Sequence, residues 1–291
     1  MTIPQKMYIF YKRHFGVRKP DTDKFYYPKL FLYRVLKFLG FHRIKASMTR
    51  STVKVGTFAI KVDRYDSLNL IMNPKADPTE LAIVTSTLKP GDTAIDVGAN
   101  IGLYTLYMAQ SVGLSGKVFA FEPEPENFAL LNFNVAGNKF DNVTLYQCAA
   151  SNARSTAALA INDKNMGMHR LSTHPGSADS IEVETVRVDD LIDSRIDVRL
   201  AKIDVEGHEL HVLEGMANLL SRNTHIHLLV EYNPSSLIAG GTQPGQLLDC
   251  LKDFGFVMEV AGRSGRVSSR VLLENFSMDG PAYANLHCYR P

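Results

Sequence analysis

Residues Ala94-Ile95-Asp96-Val97-Gly98-Ala99-Asn100-Ile101-Gly102 constrain the fold of this chain more than any other stretch. A short apolar run passes through a glycine turn straight into a helical pattern. That predicts a buried strand releasing the chain at its carboxyl end, where ligands bind in open α/β sheets. Gly98 lets the backbone come close to a ligand, and Gly102 lets the helix start pack tightly. The same turn with nothing bound is the structural alternative, and a second feature weighs against it. The next strand, Val118-Phe119-Ala120-Phe121, ends at Glu122, 20 residues beyond Gly102. An acid at that tip can accept hydrogen bonds from both ribose hydroxyls of a nucleoside. Pro123 and Pro125 stop the strand and start the following helix, which fixes where the carboxylate points.

The loop discriminates between nucleoside cofactors. A dinucleotide loop needs GxGxxG so that a pyrophosphate can sit on bare backbone amides. Here the second glycine position is Asn100 and the third is Leu103, and GxxxxGK[ST] is absent. Adenosylmethionine has no phosphate, so its loop tolerates a side chain such as Asn100. The set Asp96, Gly98, Asn100, Gly102 and Glu122 is therefore read as an adenosylmethionine site, in preference to NAD.

Around this site the apolar rhythm alternates. Strands are expected at Thr93–Val97, Lys117–Phe121, Val143–Cys148, Leu200–Ile203 and Ile226–Glu231. Helices are expected at about Gly102–Ser111, Pro125–Val135, His208–Leu220 and Gln243–Asp253. That alternation predicts a mostly parallel sheet covered on both faces. Residues 53–72 look extended with a turn at Gly56-Thr57, and a helix from Thr79 to Leu88 follows. Between residues 157 and 188 alternating runs surround a polar loop, read as an antiparallel insertion beside the site. Phe256–Val260 and Tyr283–Tyr289 read as a closing strand pair. The expected fold is α/β: a doubly wound, mostly parallel seven-stranded sheet, Rossmann-like, with an antiparallel insertion and an N-terminal extension. The organisation is an extension over 1–50 and a catalytic domain over 51–291. Within the domain, 51–90 form a lead-in hairpin and helix and 91–235 the cofactor-binding core.

Charge is unevenly placed. The net charge is +2, but residues 1–50 carry 12 Lys and Arg against Asp21 and Asp23. The extension also holds an apolar run from Leu30 to Leu39 with basic flanks. It reads as a short amphipathic helix, either docked on the main domain or lying on an anionic membrane surface. Cys148, Cys250 and Cys288 are odd in number and widely spaced, as in reduced thiols. No signal-peptide pattern and no run of about 18 apolar residues is present. A cytoplasmic location is expected, with the arm as a route to the inner membrane face.

Together, Asp96–Gly102 (DVGANIG), Phe121–Glu126 (FEPEPE), Asn127–Asn134 with Leu130-Leu131, Val188–Leu191 (VDDL) and Lys202–Glu209 (KIDVEGHE) followed by Val212–Gly215 resemble the FkbM family of methyltransferases. The resemblance covers roughly residues 80–235, and KIDVEGHE is its most specific part. It implies a class I methyltransferase fold, adenosylmethionine as methyl donor and usually O-methylation, on acceptors such as secondary metabolites, sugars and surface glycans. By position, Gly98, Asn100 and Gly102 would line the methionine and ribose part, and Glu122 the ribose. Ala149 and Ala150, at the end of the third strand, would flank adenine. Alanine there, where many methyltransferases have Asp or Asn, leaves the adenine amino group without a side-chain partner.

Methyl transfer needs an acceptor oxygen held in line and relieved of its proton. Asp204 is the first candidate for that role, then His208, then Glu206, all just past the fourth strand. Glu209 reads as a helix-start partner. Glu231, at the tip of the fifth strand, is a further acid at the mouth. With Asp204 and Glu206 it could form an oxygen-rich site of the kind magnesium prefers, so a divalent cation is a possible addition. Arg170, in the insertion, could meet an anionic substrate, but its segment reads first as an exposed loop. Two other functions remain to be weighed: a noncatalytic adenosylmethionine-binding protein, and a nucleic-acid methyltransferase suggested by the basic arm. DVEG stands where base-modifying enzymes often carry an NPPY-type motif, which argues against nucleic acid and for a small-molecule or glycan acceptor.

Overall fold

The computed structural model describes residues 52–291 apart from 72, 163–164, 173–179, 264 and 277–282. The basic run at 30–40, and with it the expected membrane or docking contact, lies outside the described residues. The hairpin β1 (Thr52–Val55) and β2 (Phe58–Lys61) turns at Gly56-Thr57, as expected. Helix α1 (Pro78–Thr87) follows, its first turn capped by Asp77, which accepts from the amides of Thr79 and Glu80. Then comes the core alternation: β3 (Thr93–Val97), α2 (Leu103–Val112), β4 (Lys117–Phe121), α3 (Pro125–Gly137) and β5 (Val143–Tyr146).

The insertion follows as β6 (Ala149–Ala150), β7 (Ser155–Ala160), β8 (Arg170–Ser172) and β9 (Ser180–Val186). The chain returns through α4 (Val188–Leu191), β10 (Leu200–Ile203), α5 (Glu209–Gly215), α6 (Ala217–Arg222) and β11 (His227–Tyr232). It closes with α7 (Pro234–Ala239), α8 (Pro244–Asp253), β12 (Val257–Val260), α9 (Ser269–Asn275) and β13 (Ala284–Tyr289).

Seven strands form the main sheet in the order β12-β13-β11-β10-β3-β4-β5. β11, β10, β3, β4 and β5 are parallel neighbours, and β13 runs antiparallel between β11 and β12. This is the doubly wound, mostly parallel sheet expected from the rhythm of the sequence. Alternate residues of each strand face opposite sides, and both sides are dry. Ile95, Val97, Phe121, Ile203 and Val230 pack with Val212, Leu213 and Leu247 on one face. Ala94, Val118 and Leu200 pack with Val84, Met108 and Val112 on the other. The order reverses direction around β3, between β10 and β4, so the crevice at their carboxyl ends is the switch point where ligands bind.

Three expectations need correction. The third strand ends at Tyr146 rather than Cys148, and Ala149-Ala150 belong to a second sheet, ordered β6-β9-β7-β8. There β6 pairs in parallel with β9, while β7 is antiparallel to both β8 and β9. The helix expected over His208–Leu220 begins at Glu209 and breaks at Met216. Gly215 sits so close to the insertion that a Cβ on it would lie 1.9 Å from the Ser151 carbonyl oxygen. Two short helices, α7 and α9, carried no clear periodic signal in the sequence.

Candidate active site

Gly98 opens the loop after β3 with φ +81°, and a Cβ there would lie 1.9 Å from the Asp204 carbonyl oxygen. The tips of β3 and β10 can therefore meet only because this residue is glycine. Asn100 also adopts a left-handed backbone, φ 52°, and its side chain folds back to accept from the Ile101 amide at 2.7 Å. That fold leaves the Asn100 amide pointing at Glu122, donating to Oε2 at 2.9 Å. The Glu124 amide donates to Oε1, also at 2.9 Å. Both carboxylate oxygens are thus held by main chain. Burial pushes the Glu122 carboxyl up to about 7, against those two amides and with the Glu124 and Asp96 charges adding to the rise.

Glu122 lines a cleft with Val97, Gly98, Asn100 and Phe121 from the main sheet. Ala149, Ala150 and Leu159 line it from the second sheet, with Met166 and Gly167 between. Met166 is fastened from both sides: its amide donates to Ser67 Oγ at 2.8 Å, and its carbonyl accepts from Asn127 Nδ2 at 2.9 Å. Gly102 faces elsewhere. A Cβ there would meet Leu131 Cδ1 at 2.7 Å, so this glycine lets α2 start against α3 rather than presenting itself at the cleft.

A second cavity, of about 440 Å³, adjoins the cleft and shares Gly98, Asn100 and Gly167 with it. Asp96, Lys202, Asp204, Glu206 and Glu231 line it, with Tyr104 and Tyr283 among its walls. Asp204, half-exposed at the tip of β10, accepts from Lys202 Nζ at 2.7 Å through Oδ2. Lys202 itself is 4% exposed and lies 4.9 Å over the Tyr104 ring. Burial alone would lower the lysine's pKa, but the Asp204, Asp96 and Glu80 carboxylates override it and hold the ammonium charged.

Glu206 reaches the cavity through a kinked loop, not an extended one: its φ is 53° and that of Gly207 is 104°. Its Oε2 accepts from Ser236 Oγ at 3.2 Å, and burial next to the Asp204 charge raises its carboxyl to about 7. Glu231 is raised further, by burial and by the Asp204, Glu206 and Glu209 charges. Asp204, Glu206 and Glu231 each bring one oxygen within 4.8 Å of the others.

His208 stands apart from these acids. Its Nε2 lies 2.9 Å from Ser151 Oγ, its ring stacks on His211, and it lines the cleft instead of the acidic cavity. Burial and the His211 charge hold its pKa down to about 3, so it is a neutral imidazole. Glu209 accepts from the amides of Val205 and Gly207 and so ties the loop before α5, as its place at a helix start suggested. Arg170 is exposed and lines the cleft. Lys202 was missed in the sequence, although a lysine inside the buried strand Leu-Ala-Lys-Ile is itself a signal that a charge partner must lie beside it.

The profile of the Methyltransferase FkbM domain matches residues 96–258, more than half of the chain. The chain belongs to the FkbM methyltransferase domain family. Methyltransferase sdnD of Sordaria araneosa is 31% identical over 154 residues, 42% of this chain and 59% of that protein. Hexuronic acid methyltransferase AglP of Haloferax volcanii is 28% identical over 55% of this chain and 64% of its own length. The 31-O-demethyl-FK506 methyltransferase FkbM of Streptomyces tacrolimicus is 29% identical over 44% of this chain and 61% of its own. The chain thus spans about three fifths of these relatives.

Among solved structures, a precorrin-6y C5,15-methyltransferase from Geobacter metallireducens aligns over 72% of this chain and 87% of its own, at 14% identity and a TM-score of 0.42. An rRNA methylase from Streptococcus thermophilus aligns over 73% and 95%, at 11% identity and a TM-score of 0.42. Among the described residues no helix is long and apolar enough to cross a membrane.

Proposed function

We propose that this FkbM-family protein transfers a methyl group from adenosylmethionine to a hydroxyl oxygen of a sugar, glycan or secondary metabolite. The observation that carries the reading is the doubly anchored Glu122 carboxylate in a cleft that opens beside an acid-lined cavity. Two main-chain amides fix both oxygens, so their remaining lone pairs are aimed before a ligand arrives. That suits the paired hydroxyls of a ribose. Phe121, Ala149, Ala150 and Leu159 supply the apolar slot for an adenine ring. The adjoining cavity is the place for the acceptor, since Gly98, Asn100 and Gly167 border both spaces. Family membership supports the chemistry, and the activities two relatives are named for, on a hexuronic acid and on a 31-O-demethyl compound, support oxygen as the acceptor atom.

The sulfonium of the donor supplies an electrophilic methyl group. The protein's part is to hold the acceptor oxygen in line with the methyl carbon and to take up the hydroxyl proton. Asp204 is suited to the proton: Lys202 grips its Oδ2, and the residue is 38% exposed towards the cavity. His208 is assigned a structural role, because its Nε2 is engaged by Ser151 and its ring is stacked on His211.

Calorimetric titration with adenosylhomocysteine tests the reading. The wild-type chain should bind with a Kd in the micromolar range. Glu122→Ala should weaken binding about 100-fold, the equivalent of about 2.7 kcal/mol for two lost charge-assisted hydrogen bonds. No binding by folded wild-type protein would remove the proposal. Nicotinamide dinucleotide would then be titrated next.

A further inference from the structure

The donor cleft and the acceptor cavity meet along a short border. Among the described residues only Gly98, Asn100 and Gly167 line both spaces. Gly98 and Asn100 belong to the loop after β3, so Gly167 forms the opposite side of the opening. A methyl group passing from one space to the other must cross here, because in-line transfer brings donor carbon and acceptor oxygen to about 3–3.5 Å. No side chain narrows the border at Gly167. A Cβ there would stand 3.2 Å from Asn165 Oδ1, 3.5 Å from Asn100 Nδ2 and 3.9 Å from Ser67 Cβ.

Gly167 sits in a tight turn. The Met168 amide donates to the Asn165 carbonyl at 3.1 Å, and the Gly167 amide donates to Asn165 Oδ1 at 2.9 Å. Met166, just before it, is held on its amide by Ser67 Oγ and on its carbonyl by Asn127 Nδ2. Ser67 is itself fixed: its hydroxyl donates to Asp63 Oδ1 at 3.0 Å, and its amide donates to Asp63 Oδ2 at 2.9 Å. Asp63 is 1% exposed. With its hydrogen spent on Asp63, the Ser67 hydroxyl can only accept from Met166, so its orientation is set. A chain of hydrogen bonds therefore runs from a buried carboxylate of the lead-in to the turn at the border. Asp63 and Ser67 both lie outside residues 96–258, the part matched by the family domain.

We infer that the lead-in loop is part of the transfer machinery. Ser67 is a positioning residue that acts through Met166, and Gly167 is a specificity position whose missing side chain leaves room for the donor's methyl group. The inference deepens the methyltransferase reading and rests on it. A single anchor from α3 would let the turn pivot. Anchors on both the N–H and the C=O of Met166 set the gap between Gly167 and Asn100 before a donor arrives.

The full chain is titrated calorimetrically with adenosylmethionine, which carries the methyl group, and with adenosylhomocysteine, which lacks it. Gly167→Ala should weaken adenosylmethionine about tenfold more than adenosylhomocysteine, because the new side chain takes the space of the transferred methyl. Ser67→Ala should weaken adenosylmethionine about fivefold, and Ser67→Thr, which keeps the hydroxyl, should return it to within about twofold of wild type. If Ser67→Ala melts early, the ratio measured for Gly167→Ala decides alone. Three results would overturn the inference: Gly167→Ala changing both affinities by the same factor, Ser67→Ala binding adenosylmethionine as tightly as wild type, or Ser67→Thr binding no better than Ser67→Ala. Failure of the wild-type chain to bind adenosylhomocysteine would instead remove the underlying methyltransferase reading, so the two failures are distinguishable.

Discussion

At the scale of single residues, Glu122 and Gly98 show how little freedom the cleft has. The Glu122 carboxyl is raised to about 7 in the ligand-free site, chiefly by burial. A proton on either oxygen turns that oxygen into a donor, so only the ionised form accepts freely from both hydroxyls of a ribose, and proton and ligand compete. Adenosylhomocysteine affinity should therefore be level above about pH 7.5 and fall by up to about tenfold per pH unit below 7. Glu122→Gln should abolish the slope, and a flat wild-type profile between pH 5.5 and 8.5 would contradict the assignment. For folding the sign is opposite. The native carboxyl holds its proton more tightly than the unfolded one, whose value is 4.5, so its contribution is present below 4.5 and lost as pH rises towards 7. Gly98 is a different kind of constraint. Gly98→Ala must place a methyl where the Asp204 carbonyl stands, in a backbone region that alanine avoids. Urea denaturation should show a loss of about 3 kcal/mol or more.

At the scale of elements, the lead-in hairpin is stitched to α3 by asparagines. Asn134, fully buried on α3, accepts from the Lys61 amide at 2.7 Å. It donates to the carbonyls of Lys61 and Ile101 at 3.0 and 2.8 Å. One side chain thus joins β2, α3 and the start of α2. Asn134→Ala would leave three main-chain groups without partners and should cost about 2–4 kcal/mol in chemical denaturation. A cost under about 0.5 kcal/mol would mean that the hairpin is not coupled to the core.

Such links were not legible in the sequence, where Asn134 is one more polar residue in a helical run. What could be read were the buried parallel strands: Thr93–Val97, Lys117–Phe121 and Leu200–Ile203 begin and end where their apolar runs do. The helix after β10 was expected to run unbroken, but α5 gives way to α6 at Met216, beside Gly215, which packs against the Ser151 carbonyl from the segment after β6. Glu122 was placed by spacing alone. The anchors on its two oxygens depend on the left-handed Asn100, which no local pattern announces. Lys202 carried a signal that hydrophobic periodicity hides.

At the scale of the whole molecule, the proposed nucleoside cleft is built from two sheets that share no strand. Val97, Phe121 and Glu122 come from the main sheet or its strand tips, and Ala149, Ala150, Leu159 and Leu171 from the second. The inner faces differ in the size of their apolar clusters. The main sheet buries a large cluster, whereas the second buries little beyond Ala149, Leu159 and Val183. A ligand in the cleft would therefore add apolar contacts mostly where the chain has fewest of its own. Binding to the native state alone stabilises by about 2.7 kcal/mol at a ligand concentration 100 times Kd. In a domain of this size that corresponds to a rise in Tm of about 5–10 °C. Hydrogen exchange at saturating adenosylhomocysteine should slow in residues 149–160 and 165–172, whose local openings would break the cleft, as well as in β3 and β10, where exchange through global unfolding slows by the full binding factor. In Glu122→Ala both the melting shift and the local protection should vanish. Protection confined to the main sheet, with the insertion unchanged, would show that the ligand does not bridge the two sheets and that the second sheet belongs to the acceptor side alone.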